Sequence, residues 1–256
     1  MILNFKNTNI YYNSVGKGPA VVLLHGFLES SAMWATLIPE LSQDRQVITL
    51  DFPGLGESGV ISEIHSMELL AEVVNEVFEH LQVKKASFVG HSMGGYVSMA
   101  FADLFPMKIE KLVLLNSTPI SDSEERKDIR DRAVKLVDKN PEAFVRMAIV
   151  NWAGETSREK FSKEIEDAYN LALTFPVEGV KAALKGMRDR KDRTDVLKSF
   201  PREKYMFLAE DDPIIPVDDS LKLAEECDVN SIVVSGGHLS LIENFPSVRE
   251  FLLSIL

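Results

Sequence analysis

Segments typical of strands alternate with segments of helical periodicity along most of the chain, and this alternation limits the fold more than any other feature. The run Ala20–His25 is apolar up to its last residue, as expected of a strand buried on both faces of a sheet. Ser66–Leu81 has its apolar residues at helical spacing. Because strands separated by helices are joined by crossovers, the pattern predicts an α/β fold, with a mostly parallel central sheet flanked by helices. A hairpin is predicted over residues 1–14, further strands over Gln46–Leu50, Ala86–Gly90, Lys111–Leu115, Tyr205–Ala209 and Ser231–Val234, and further helices over Ala32–Leu41, Tyr96–Phe105, Asp218–Cys227 and Pro246–Leu256.

The alternation stops near Thr118 and resumes after residue 200, and the segment between differs in composition. Residues 119–200 carry 33 charged side chains in 82 positions, whereas the other 174 positions carry 34. Short amphipathic helices with charges of both signs fit this segment, and most of the charges are expected on a solvated helical face. The sequence therefore predicts a core over residues 1–118 and 201–256 with a helical cap over residues 119–200.

Charge, the length of apolar runs and cysteine content argue against several classes of partner and location. Lys plus Arg is 28 and Asp plus Glu is 39, which gives a net charge of −11 and disfavours both nucleic acid and anionic membranes as partners. The longest apolar runs are far shorter than the roughly 18 residues that a membrane helix needs. The single cysteine, Cys227, cannot form an internal disulfide, and the first residues do not resemble a leader peptide, so we expect a cytoplasmic protein.

The segment Gly90–Gly94 has the pattern G-x-S-x-G, with Ser92 at its centre. The pattern alone is weak, but here it follows a predicted buried strand and begins a predicted helix. A sharp turn at this place exposes the serine hydroxyl above the sheet, and glycines on either side avoid collisions at so tight a turn. The alternative is an ordinary glycine-rich turn, and the context favours Ser92 as a nucleophile.

A serine nucleophile needs a base, and the base needs a group that orients it. His238 follows the last predicted strand, at the same sheet edge as Ser92, and is our candidate base. Glu210, Asp211 and Asp212 follow the strand before it, and any of the three acids fits the third role. A turn-capping acid or a cation site is the alternative for these residues. The order serine, acid, histidine matches a known arrangement.

Five segments in this order and context resemble the α/β-hydrolase superfamily over nearly the whole chain. The resemblance implies that the acid is Asp212, although Ala209 stands where the family pattern has glycine. Some relatives carry the acid after an earlier strand, where this chain has Asn116. The segments that carry the resemblance are Leu24–Phe27, Asp51–Ser58, Gly90–Gly95, Asp212–Pro216 and Gly237–His238.

The same resemblance implies an oxyanion hole formed by the backbone N–H groups of Phe27 and Met93. Gly26 lets the chain approach closely there, and Gly90 and Gly94 shape the turn at the serine. Ser92 argues against the dehalogenases and epoxide hydrolases of this fold, which use aspartate as the nucleophile. Neither a cofactor nor a metal is expected, because the sequence lacks a dinucleotide fingerprint and a zinc motif.

The residues predict a serine hydrolase that acts on a small to medium, largely apolar carboxylic ester through an acyl-enzyme. The expected partners are that small-molecule substrate and water, and the sequence does not indicate an oligomeric state. Thioesters, lactones and the diketones cleaved by C–C bond hydrolases of this fold stay open as substrates. A small-molecule receptor with slow hydrolysis is a second class, and a scaffold without activity is a third.

Overall fold

The computed structural model describes residues 1–154 and 157–256, and in these residues eight strands form one sheet in the order β1-β2-β4-β3-β5-β6-β7-β8. From β4 onward in that order, every neighbouring pair is parallel, whereas β1 and β2 add an antiparallel hairpin at one edge. The strands are β1 (Ile2–Phe5), β2 (Thr8–Val15), β3 (Ala20–Leu24), β4 (Gln46–Leu50), β5 (Ala86–His91), β6 (Ile109–Leu115), β7 (Lys204–Ala209) and β8 (Asn230–Val234).

Helices cover both faces of the sheet, which confirms the predicted fold class. The alternation along β3 shows this, because Val22 packs into a cluster under α2 and α3 whereas Val21 packs into a second cluster on the opposite face. The helices are α1 (Ile38–Leu41), α2 (Met67–Leu81), α3 (Met93–Leu104), α4 (Glu124–Lys139), α5 (Pro141–Trp152), α6 (Ser157–Lys160), α7 (Ser162–Ala172), α8 (Val177–Arg188), α9 (Thr194–Ser199), α10 (Val217–Glu226), α11 (Ser240–Glu243) and α12 (Phe245–Ile255).

The helix predicted over Ala32–Leu41 is broken into two pieces. A 3-10 turn spans Ser31–Trp34, and the short helix α1 begins only at Ile38. Pro39 lies in the first turn of α1, where its missing N–H is tolerated, but a continuous helix would need that N–H to bond the carbonyl of Ala35. The spacing of apolar residues alone therefore does not indicate this break in the helix.

The segment between β6 and β7 contains the helices α4 to α9 in its described part; residues 155 and 156, inside the predicted cap, lie outside the described residues. Buried Arg193 anchors this segment to the core, because its guanidinium donates to Glu68 of α2 at 2.6 Å and to Asp103 of α3 at 3.3 Å. We call residues 119–200 the inserted segment. Its description as a cap domain stays a prediction.

The parallel strands set the position of the site. The carboxyl ends of β3, β5, β6, β7 and β8 lie at one edge of the sheet, where loops lead into the inserted segment or into helices. This edge is the usual place for ligands in parallel sheets. Across residues 1–154 and 157–256, no helix has both the length and the apolar character needed to cross a membrane.

Candidate active site

Ser92 lies between the end of β5 and the beginning of α3, in a backbone conformation with φ 49° and ψ −113°. A positive φ is costly for a residue with a side chain, so the surrounding chain must hold it. The Ser92 carbonyl accepts from Gly95 N–H at 2.9 Å and from the Ser117 hydroxyl at 2.7 Å. Added Cβ atoms at Gly90 and Gly94 would overlap backbone atoms, so the turn requires both glycines.

His238 lies in the loop after β8, and its Nε2 is 2.8 Å from the Ser92 hydroxyl. The backbone around it is held from two sides. His238 N–H donates to the carbonyl of Trp152 at 3.0 Å, and the next residue, Leu239, donates its N–H to Glu243 at 3.0 Å. The side chains of Ser92 and His238 are both almost fully buried, which limits competition from water for their hydrogen bond.

Asp212 follows β7 and accepts from His238 Nδ1, with the shorter distance, 2.8 Å, to Oδ2. Its Oδ1 also accepts from the N–H groups of Ile214 and Ile215 at 2.8 and 2.9 Å. Burial alone would raise the pKa of Asp212, but the charge and hydrogen bond of His238 and these two amides hold that pKa below its usual range. Of the three candidate acids, Glu210 and Asp211 are exposed, and Asp212 is the one in contact with His238.

Asn116, at the end of β6, supports this carboxylate from the other side. Its Nδ2 donates to Asp212 Oδ2 at 3.0 Å, and its Oδ1 accepts from the hydroxyl of Ser240 at 2.6 Å. Asn116 also has a positive φ of 46°. The residue at the alternative acid position is thus a hydrogen-bond donor to the acid, a role that the sequence did not predict.

The resemblance predicts an oxyanion hole formed by two backbone N–H groups, those of Phe27 and Met93. Neither Phe27 N–H nor Met93 N–H donates to another group of the chain within residues 1–154 and 157–256. Met93 N–H begins α3, so the positive end of the helix dipole is added there. Phe27 and Ser92 also line the same cavity.

His25 holds the loop that carries Phe27. Its Nε2 accepts from Phe52 N–H at 2.9 Å and its Nδ1–H donates to the carbonyl of Gly26 at 2.7 Å, an assignment that fixes the neutral tautomer. Burial lowers the pKa of His25, which agrees with a neutral ring. The loop that carries Phe27 is therefore held to the segment after β4 by the neutral ring of His25.

A largely buried ion pair that the sequence did not predict lies beside the site, with the side chain of His91 2% and that of Glu29 15% exposed. His91 Nδ1–H donates to Glu29 at 2.8 Å and its Nε2–H donates to the carbonyl of His238 at 2.9 Å, so both ring nitrogens face acceptors. Burial alone would lower the pKa of His91, but Glu29 raises it above the ordinary value. Glu29 also accepts from Gly26 N–H at 2.7 Å. The pair thus joins the loop of the predicted oxyanion hole to the loop of the predicted base.

Ser92 and His238 open into a cavity of about 870 Å³ between the sheet edge and the inserted segment. Its apolar wall includes Phe27, Phe144 and Trp152. Trp152 also lines a second, smaller cavity of about 240 Å³ that is mostly apolar. Within the described part of the chain, no cluster of His, Cys, Asp or Glu side chains has the arrangement needed to hold a metal ion.

The geometry allows one kind of chemistry directly. A hydroxyl bonded to an imidazole that a carboxylate orients can lose its proton as it attacks a carbonyl carbon. Phe27 lines the same cavity as Ser92, and Met93 directly follows Ser92, so the backbone N–H groups of these two residues are the candidates to receive an oxyanion. Together these groups can support acyl transfer through a covalent intermediate.

Comparison with known proteins adds independent information. A family model described as alpha/beta hydrolase fold matches residues 19–245. The putative carbamate hydrolase RutD of Yersinia enterocolitica is 29% identical over 96% of this chain and 92% of its own length. The 2-hydroxy-6-oxo-2,4-heptadienoate hydrolase of Pseudomonas putida is 28% identical over 92% of this chain and 87% of its own. A solved thermophilic esterase from Thermogutta terrifontis superposes with a TM-score of 0.91 at 29% identity, and the match covers 96% of this chain and 92% of the esterase.

Proposed function

The chain belongs to the α/β-hydrolase family, and from this premise we propose that it is a serine hydrolase that cleaves a carboxylic ester through an acyl-enzyme. The continuous hydrogen-bond chain from Ser92 through His238 to Asp212 carries the proposal, with distances of 2.8 Å on both sides of the imidazole. The cavity above Ser92 supplies space for a substrate of small to medium size.

In the first half of the reaction, Ser92 Oγ attacks the ester carbonyl carbon while His238 Nε2 takes the hydroxyl proton. Asp212 stabilises the imidazolium that forms and is not itself protonated. The negative charge on the carbonyl oxygen is received by the N–H groups of Phe27 and Met93. His238 then gives its proton to the leaving alcohol, and the acyl group stays on Ser92.

In the second half, water repeats the attack. His238 takes a proton from the water as it adds to the acyl-enzyme, and the oxyanion again lies against the two N–H groups. Collapse of this intermediate breaks the bond to Ser92 Oγ, which recovers its proton from His238. The products are the free acid and the regenerated enzyme.

The inserted segment acts as a cap over this site in the proposal. Phe144, Met147 and Trp152 of α5 line the cavity opposite Ser92, so the cap would contact the part of the substrate away from the reacting carbonyl. This is an apolar wall, which suits an acyl chain or an apolar alcohol. The single, buried Cys227 fits a reducing compartment, and we propose a cytoplasmic location.

The names of the relatives support hydrolysis and leave the bond open. The Thermogutta protein is an esterase, the Yersinia protein a putative carbamate hydrolase, and the Pseudomonas protein acts on a heptadienoate. Esters are the choice here because a hydroxyl, an imidazole and two backbone donors suffice for them. Carbamates and 1,5-diketone acids are the comparison substrates for the assay.

Steady-state hydrolysis of 4-nitrophenyl esters from acetate to decanoate tests the proposal. Sustained turnover is expected, with Ser92→Ala lowering kcat by about six orders of magnitude, as in other serine hydrolases. The matched control is Ser87→Ala, which removes a buried hydroxyl from the opposite end of β5 and should keep kcat.

Three results would contradict the proposal. Equal rates in Ser92→Ala and the parent protein would mean that Ser92 is not the nucleophile. A single stoichiometric release of 4-nitrophenol without turnover would favour a receptor that is acylated and stalls. Turnover of carbamates or diketone acids at rates above those of every ester would move the assignment to those bonds.

A further inference from the structure

Three arginines of α4 line the cavity that contains Ser92 and His238: Arg126, Arg130 and Arg132. Among the described residues that line this cavity, they face one acidic side chain, Glu125. The chain as a whole carries a net charge of −11, so a basic wall at this place runs against the overall balance. Opposite charge in a partly enclosed cleft attracts an anionic ligand.

Two of these arginines, Arg126 and Arg130, lie close to one buried carboxylate, that of Asp122. Asp122 lies one turn before Arg126 and two turns before Arg130, and it accepts from the Nε of Arg130. Arg126 Nε lies 3.6 Å from the same carboxylate, and Arg190 approaches it from behind at 2.6 Å. Burial alone would raise the pKa of Asp122, but Arg130 and Arg190 hold it below its usual range, so the carboxylate is charged.

Asp122 carries one negative charge and faces three guanidinium groups, those of Arg126, Arg130 and Arg190, so this cluster of described residues has an excess of two positive charges. Arg132 adds a further positive charge to the cavity wall. Elsewhere on α4, Lys127 pairs with Glu124, and Asp131 and Asp138 pair with Arg188 and Lys181 of α8. Among the basic residues of α4, the three that line the cavity are Arg126, Arg130 and Arg132.

Several N–H groups of these arginines also have no acceptor among the described residues. Arg126 donates from Nη1 to the carbonyl of Ile214 at 3.0 Å, which ties it to the loop that carries Asp212. Its Nη2 makes no hydrogen bond among residues 1–154 and 157–256. Within the same residues, Arg130 uses only Nε, and Arg132 is exposed and forms no ion pair. Paired N–H groups in one plane are the usual partner of a carboxylate.

We propose that the substrate is an ester that also carries a carboxylate, which lies against Arg126 and Arg132 while the ester carbonyl lies at Ser92. This inference rests on the proposed function and narrows its substrate class from carboxylic esters in general to esters that carry a negative charge. The apolar wall of α5 would contact the chain between the two ends, so a dicarboxylic monoester with a short methylene linker fits the cavity.

The test compares two 4-nitrophenyl esters that differ in one end group, the monoester of adipic acid and the neutral hexanoate. The ratio of their kcat/KM values is the readout, because a variant that folds poorly loses both activities and keeps the ratio. The parent protein should prefer the adipate monoester by about tenfold or more, mainly through a lower KM. Arg126→Gln and Arg132→Gln should each lower this ratio, with the larger fall, about tenfold, for Arg126→Gln.

Arg146→Gln is the matched control. Arg146 lies on α5, pairs with Glu166 outside the cavity, and should keep both the ratio and the activities. Preference for the hexanoate in the parent protein, or a ratio that neither arginine variant changes, would overturn the inference and leave the proposed hydrolase intact.

A binding measurement separates this inference from the reaction. Calorimetric titration of the Ser92→Ala variant with monomethyl adipate and with methyl hexanoate requires no turnover, so it stands even if ester hydrolysis is not the activity. The two esters differ only in the carboxylate at the far end, so we expect monomethyl adipate to bind about tenfold more tightly, and the difference to disappear in the Ser92→Ala, Arg126→Gln double variant. Equal affinities for the two esters would contradict the proposed carboxylate site.

Discussion

Asp212 shows how the chemistry of a single residue depends on which of its atoms can accept hydrogen bonds. Its Oδ1 accepts from the N–H groups of Ile214 and Ile215, so an amide placed here would keep its oxygen on that side. The NH₂ group of the amide would then face His238 Nδ1. A donor at that place turns the imidazole into the tautomer with its proton on Nε2, which cannot accept the proton of the serine.

We therefore expect Asp212→Asn to lower kcat by about four orders of magnitude at neutral pH, with a much smaller change in KM. Steady-state kinetics on the best 4-nitrophenyl ester gives both values. Asp211→Asn is the matched control, since Asp211 is exposed in the same loop and should keep the parent kcat. An Asp212→Asn variant with nearly full activity would show that another group orients His238.

The ion pair of Glu29 and His91 is a second place where single residues connect distant loops. Glu29→Gln removes the charge but keeps an acceptor for Gly26 N–H, and it leaves the His91 ring buried against a neutral group. Breaking a buried pair in this way should lower the free energy of unfolding by about 3 kcal/mol. Urea unfolding at pH 6 measures the change, and a value within 0.5 kcal/mol of the parent protein would contradict it.

At the scale of helices and strands, the turn from β5 to α3 depends on close backbone contact. An added Cβ at Gly94 would overlap the carbonyl oxygens of Leu24 and His25 at the end of β3. These are backbone atoms of a central strand, so they cannot move without displacing the loop of Phe27.

Gly94→Ala should therefore lower the free energy of unfolding by about 3 kcal/mol or more, which thermal or urea unfolding would detect. Gly59→Ala is the matched control. The nearest atom to its added Cβ is a methyl group of Thr8, a side chain that can adjust, so the cost should be clearly smaller. Similar stability of the two variants would mean that β3 yields more easily than the packing indicates.

The elements themselves could be predicted because their patterns are local. Buried strands such as β3 and amphipathic helices such as α2 follow from residues within one segment, and the side chain of Ser66 caps the beginning of α2. The break in the helix before β4 does not show in the spacing of apolar residues. It follows instead from Pro39, whose missing N–H does not allow a continuous helix.

The residues of the candidate site also fall into two groups, those that local sequence patterns predict and those that they do not. Ser92 and His238 could be named because each follows a recognisable strand or lies in a short motif, whereas the choice of Asp212 among three neighbouring acids came from the family resemblance. The roles of Glu29 and Asn116 could not, because each depends on contacts with residues far away in the sequence, Glu29 with His91 and Asn116 with Asp212. A single sequence does not indicate which of its many acids and amides will meet across the sheet edge.

At the scale of the whole molecule, the inserted segment meets the core through glycines of α8. The Cα atoms of Gly179 and Gly54 approach so closely that a Cβ on either would overlap the other residue. About two turns further along the same face of α8, Gly186 borders the carbonyl of His65, and His65 N–H donates to the carbonyl of Ala182 at 3.0 Å. His65 is therefore fully buried where the two parts of the chain meet.

This position makes the stability of the molecule dependent on pH. His65 Nε2 accepts from the N–H groups of Ile61 and Ser62 at 3.3 and 3.4 Å, so the folded protein favours the neutral ring. Burial lowers the pKa of His65 from 6.5 to about 4. Between these values the unfolded chain binds a proton that the folded chain does not, so the free energy of unfolding falls as the pH falls from 6.5 towards 4.

Replacing His65 by glutamine should remove this dependence, because the amide oxygen can still accept from the same two N–H groups and does not titrate. Between pH 7 and pH 5, the parent protein should lose about 2 kcal/mol more of its free energy of unfolding than His65→Gln. Urea unfolding at the two pH values gives this difference, in which titrations shared by both proteins cancel. The exposed His80→Gln is the matched control and should follow the parent protein. An equal loss in His65→Gln and the parent would show that His65 is protonated in the folded molecule, and that the junction between core and inserted segment accommodates the charge.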